Sequence, residues 1–179
     1  LVAGPIVRAR ALLPQITGPR RWSVSLLKEG LFQIMIGFIR KVVIADTIGQ
    51  YVDTVYGNPG VYSSATLTAA TILYGLQIYF DFSGYSDMAV GLAMLFGIRL
   101  PANFYSPYRA TSIIEFWRRW HITLSRWLRD YVYRSLGGAK KGPRLAMLHL
   151  FLTMLIAGIW HGASWNFAVW GGINGAIMV

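Results

Sequence analysis

From Leu145 to Val179 the chain runs for 35 residues without one Asp, Glu, Lys or Arg. About 20 apolar residues in a helix already cover the roughly 30 Å hydrocarbon core of a bilayer, so this stretch is expected to cross a membrane at least once. The rest of the chain has the same character. Hydrophobic residues make up 55% of the 179 positions, charged residues 13%, and the mean hydropathy is +0.45. That balance is far from a soluble domain and predicts an all-α, polytopic membrane bundle in which every backbone polar group is satisfied within helices.

Charge orients the bundle. Lys and Arg number 17 against 7 Asp and Glu, for a net +10. The basic residues lie between apolar runs and form no tract, so nucleic acid is not the expected partner; a cytoplasmic loop excess explains them. Ten of the 17 fall in Arg99 to Arg144, with only Glu115 and Asp130 as acids, which places that block inside. The N-terminal group Arg8, Arg10, Arg20, Arg21 and Lys28 is also expected inside. Val52 to Ser64 has no Lys or Arg and carries Gly57, Asn58, Pro59 and Gly60, which predicts a turn on the outer side.

Leu26 to Tyr51 is a further candidate span, provided other helices cover Lys28, Glu29, Arg40, Lys41 and Asp46. Ala65 to Ile98 is apolar except for Asp81-Phe-Ser-Gly-Tyr-Ser-Asp87, which reads as a helix break between pieces of 16 and 11 residues. The absence of cysteine removes disulfides, thiolate nucleophiles and Cys-ligated metal, and no metal site is expected. The chain starts at Leu1 and stops at Val179 within an apolar run, so it is expected to be a fragment, residues 1–179 of a single membrane-embedded domain with its core motifs in 79–162.

Two histidines each follow a tryptophan. His121 lies in a helix predicted from Ile113 to about Arg134, opened by the capping box Ser112-Ile-Ile-Glu115. At about 100° per residue that helix puts Trp127, Trp120, Tyr131, Leu124, Trp117, Leu128 and His121 on one arc, with Arg118, Arg129, Arg126, Arg119 and Asp130 opposite. Such a helix lies in the membrane interface. Ile122 interrupts its polar side. The pattern leaves open whether His121 only anchors the helix or takes part in chemistry.

His161 follows an apolar run of 16 residues, ending roughly 25 Å from the cytoplasmic edge or nearer mid-membrane if the helix breaks at Gly158 and Gly162. Ionisable groups at such depth face a protein interior or a wet cavity, so it serves either function or structural hydrogen bonding. His149, in the same run, reads as a packing or interfacial residue. Gly171 and Gly175 form a Gly-x-x-x-Gly, a weak signal for close helix packing. Gly137 to Gly142 lacks phosphate-loop spacing and reads as a basic turn.

The motifs Ala3-Gly-Pro-Ile-Val-Arg8, Tyr79-Phe-Asp-Phe-Ser-Gly-Tyr-Ser-Asp-Met88, Phe116-Trp-Arg-Arg-Trp-His-Ile-Thr-Leu-Ser125, Arg129-Asp-Tyr131, Leu136-Gly-Gly138 and Gly158-Ile-Trp-His-Gly162 occur in this order. Together they closely resemble the membrane-bound O-acyltransferase family, in particular its bacterial alginate O-acetyltransferase-like branch. The resemblance implies a many-helix protein of the bacterial cytoplasmic membrane that passes an acetyl group from a cytoplasmic thioester, acetyl-CoA or another acyl thioester, toward an exported polysaccharide or a periplasmic acetyl-accepting partner. It maps the family's active histidine onto His161 and its second functional position onto His121. Arg118 and Arg119 are expected near the donor phosphates, with no bound cofactor. D-alanyl transfer to teichoic acid, and a channel or flippase in which both histidines line a path, are the competing readings.

Overall fold

The computed structural model describes residues 4–20, 22–140 and 142–179. Ala3, Arg21 and Lys141, which entered the N-terminal motif, the N-terminal basic group and the basic turn, lie outside the described residues. Among the described residues all the regular structure is helical, with no β-strand. It groups into two compact units, Leu1–Asn103 and Phe104–Val179.

In the first unit α1 (Ala9–Thr17) is tied to the unit's C-terminal end by Gln15. Its amide donates to the Arg99 carbonyl at 3.2 Å and accepts from the Arg99 N–H at 2.8 Å. Helix α2 (Val24–Phe38), capped by Ser23, passes through a π-helical stretch, Ile39–Ala45, into α3 (Asp46–Gly57). The helix therefore continues through Val52 to Gly57, and the expected outer turn shrinks to the residues between Gly57 and Ser64. Helix α4 (Ser64–Leu95) returns alongside, with the Ser63 hydroxyl capping the Thr66 N–H at 3.2 Å.

Helix α4 is one unbroken helix of 32 residues, which corrects the expected break at Asp81 to Asp87. The reason is tertiary. Asp87 pairs with Arg40 and accepts from the Gln33 amide at 2.7 Å, and Asp81 pairs with Lys41 at 2.6 Å. With their carboxylates held from α2 and the π-helical stretch, these residues have no need to bond to their own backbone, which is what makes Ser, Asp and Gly helix breakers in isolation.

Gly84 is needed for approach rather than for bending: a Cβ there would stand 2.6 Å from the Gly37 carbonyl oxygen. Gly30 and Gly91 form a second such pair one heptad away, so the two antiparallel helices meet backbone to backbone.

The second unit holds α5 (Ile113–Arg119), α6 (Ile122–Leu128), a π-helical turn Arg129–Tyr133, α7 (Pro143–His161) and α8 (Trp165–Met178). Among the described residues α7 is the one helix long and apolar enough to cross a membrane, with 19 residues and a mean hydropathy of 1.5 in its best window. Its rise of about 28 Å nearly matches a bilayer core. Helix α8 folds back antiparallel on α7. Gly171 and Gly175 are both buried in that contact; a Cβ at Gly171 would lie 2.6 Å from the Met154 carbonyl oxygen and one at Gly175 2.9 Å from the Phe151 ring. Of the two expected break points in the last segment, Gly162 ends α7 and Gly158 is helix interior.

Candidate active site

The Ser112 half of the capping box forms as the sequence predicts, while the Glu115 side chain reaches one residue further back than the N-cap. Ser112 Oγ accepts from the Glu115 N–H at 3.1 Å, and the Glu115 carboxylate reaches back to the Thr111 N–H at 2.8 Å and its hydroxyl at 2.9 Å. Those bonds, with Arg119 at 2.6 Å, hold the Glu115 carboxyl down at about 2.

The helix it opens does not run to Arg134. It stops at Arg119: Trp120 is extended, and His121 adopts φ 40°, ψ 55°, a left-handed conformation uncommon for a residue with a Cβ. The corrected reading is two short helices meeting at the histidine. The break is held from outside, since the Tyr105 N–H bonds the Arg119 carbonyl at 2.9 Å and Trp120 stacks on Phe116 at 5.5 Å. Phe104 meets Trp120 edge-on at 5.1 Å and lies over the His121 ring at 6.5 Å. Backbone strain kept in place by surrounding packing is a common mark of a functional position.

His121 is only 5% exposed. Burial, and then the nearby His161, push its pKa down to about 4 from an ordinary 6.5. The folded protein therefore binds this proton less readily than the unfolded chain. Stability linked to His121 is complete above about pH 6.5 and drains away as pH falls toward 4, by up to about 3 kcal/mol. Thermal unfolding followed from pH 7 to 4 should show that loss, and His121→Asn, whose side chain tolerates the left-handed region, should flatten it. An equally steep loss in the variant would rule out His121 as the cause.

His161 is the last residue of α7. Its ring is stacked on Phe167 at 6.1 Å and meets Trp170 edge-on at 5.4 Å, with Trp160 at 5.1 Å. One side is exposed, and the other lines a largely apolar cavity of about 190 Å³. Trp117, Ser125, Thr153, Met154 and Trp170 are among the other walls. Trp117 and Trp170 touch edge-on at 5.7 Å, joining α5 to α8 across it. Both histidines thus belong to the second unit, and the charge of His161 opposes protonation of His121, but His121 is not among the walls of the His161 cavity.

The two arginines fare differently. Arg118 is exposed, whereas Arg119 is engaged by Glu115 and lies 5.4 Å over the Tyr105 ring. Neither is among the walls of the His161 cavity. Among the described residues no three His, Asp or Glu side chains gather as they do around a metal ion.

The walls Trp117 and Trp170 were missed as site residues. Trp117 already shared the predicted arc with His121, but nothing in the charge-free C-terminal run marked Trp170. His149, expected to be a packing or interfacial residue, is buried and donates from Nδ1 to the Gly138 carbonyl at 2.8 Å.

The model of the MBOAT, membrane-bound O-acyltransferase family, matches residues 1–179. The chain belongs to that family. It is 47% identical over 177 residues to the probable alginate O-acetylase AlgI of Pseudomonas fluorescens, covering 98% of this chain and 35% of that protein. To the peptidoglycan O-acetyltransferase of Helicobacter pylori it is 43% identical, covering 98% and 34%. To the teichoic acid D-alanyltransferase of Bacillus subtilis it is 31% identical over 187 residues, covering 98% and 47%. The chain spans about a third of the length of these O-acetylating relatives.

Proposed function

We propose that the protein containing this chain is a multi-pass acyltransferase of the bacterial cytoplasmic membrane. It moves acetyl from a cytoplasmic thioester, acetyl-CoA or another acyl thioester, to hydroxyls of an exported polysaccharide or to a periplasmic acetyl-accepting protein. The observation that carries the reading is the imidazole of His161 set at the wall of an apolar cavity in an O-acyltransferase-family chain. A thioester is already activated, so the protein has mainly to position a hydroxyl and remove its proton.

In this mechanism His161 accepts the proton of the acceptor hydroxyl as its oxygen attacks the thioester carbonyl carbon. The carbon–sulfur bond breaks, and the thiolate leaves and is protonated. His121, held neutral by burial, offers an N–H to the carbonyl oxygen as negative charge develops there. Greater identity to O-acetylating relatives than to D-alanylating ones supports acetyl over D-alanyl.

The test is mass spectrometry of the surface glycan from cells carrying the full-length protein, its His121→Ala variant or neither. Acetyl esters should depend on the protein and fall severely in the variant. D-alanyl esters in place of acetyl would replace the donor, and an unmodified glycan accompanied by solute flux would replace the acyltransferase with a channel.

A further inference from the structure

A second recess, of about 550 Å³, opens beside the His161 cavity, and the two share Arg129 and Tyr133 as walls. Its other walls include Arg134, Gly137, Gly138 and Lys140, so three cations surround it. Asp130, whose side chain is 10% exposed, holds Arg129 from Nε at 3.0 Å and Arg134 from Nη1 at 3.0 Å. Both arginine side chains are more than half exposed, at 55% and 66%. One carboxylate thus splints two guanidiniums at the rim, and each guanidinium carries five N–H donors in a fixed fork suited to phosphate.

The floor is equally fixed. Gly137 and Gly138 have φ of 123° and 56°, and a Cβ on Gly137 would stand 3.0 Å from His149 Cε1. The buried His149 bond to Gly138 fastens this turn to α7, the helix that ends in His161.

We propose that this basic recess binds the phosphate of the thioester donor, whose acyl arm then passes Arg129 and Tyr133 into the apolar cavity toward His161. The proposal rests on the acyltransferase reading above and moves the phosphate contact away from Arg118 and Arg119. The walls explain the order of chemistry: charge at the outer recess, apolar surface within, imidazole beyond. An anionic lipid headgroup offers the same phosphate chemistry, so the test must separate the two sources.

Full-length protein in phosphatidylcholine vesicles, with and without phosphatidylglycerol, would be assayed with acetyl-CoA and with acetyl-pantetheine, which has no phosphate. Wild type should prefer acetyl-CoA in kcat/KM, and the double variant Arg134→Gln, Lys140→Gln should shrink that preference at least tenfold through KM for acetyl-CoA. Both side chains are exposed, and thermal unfolding would confirm that the variant folds. An undiminished preference for acetyl-CoA overturns the proposal, as does a preference kept while only the response to phosphatidylglycerol is lost. Absence of transfer from every donor by the wild type would instead overturn the acyltransferase reading itself.

Discussion

Replacing His161 by alanine should slow acetyl transfer by about 10²- to 10⁴-fold, the range that a positioned general base contributes. The side chain ends α7 and makes its contacts through ring packing, with Phe167, Trp170 and Trp160 around it. Its loss leaves those aromatics and the glycine contacts of α7 with α8 in place, so expression and membrane insertion of the full-length variant should be close to normal. The measurement is transfer of labelled acetyl in membranes, normalised to the inserted protein. Near-normal transfer by His161→Ala would remove the base and, with it, the mechanism. Loss of insertion alongside activity would show a structural role instead.

Gly158→Ala should lower the stability of the second unit by about 1–3 kcal/mol, and Gly172→Ala should not. A Cβ at Gly158 collides with the Phe167 carbonyl oxygen and lies 2.9 Å from Gly171 Cα, both backbone atoms that cannot step aside. At Gly172 there is nothing within 4 Å, so alanine there brings only its better helix propensity, worth up to about 1 kcal/mol. Thermal unfolding of the full-length variants in detergent, followed by tryptophan fluorescence, compares two identical chemical changes on either side of one helix pair. Equal shifts would mean that α7 and α8 do not meet as described. Because Gly158 sits three residues before His161, the same variant should also lose acetyl transfer.

Much of the site was legible in the sequence because its signals are local. The Ser112 to Glu115 cap depends on side chains within four residues, and its Ser112 bond forms as read, with Glu115 turned to Thr111. The glycine pair in α8 likewise packs closely, as its spacing allowed. The break at Trp120 and His121 was not read, since no Gly or Pro marks it and the 3.6-residue period continues through it. Its one visible symptom was Ile122 on the wrong side of the arc.

The opposite error occurred in α4. Asp81, Ser83, Gly84, Ser86 and Asp87 favour a break on local grounds, and only partners more than 30 residues away, Gln33, Arg40, Lys41 and Gly37, keep the helix whole. Long-range pairing of that kind has no periodicity to betray it.

The unbroken length of α4 has a consequence for the charges it carries. Thirty-two residues rise about 48 Å, well beyond the roughly 30 Å of a bilayer's oily interior, and the usual tilt of 0–40° does not absorb the difference. Counted from Ser64, Asp81 lies about 26 Å and Asp87 about 35 Å along the axis. Asp81 with Lys41 and Asp87 with Arg40 therefore sit at two separate levels, about 9 Å apart along the axis. Two ion pairs at different heights pin α4 against the π-helical stretch both along its axis and about it.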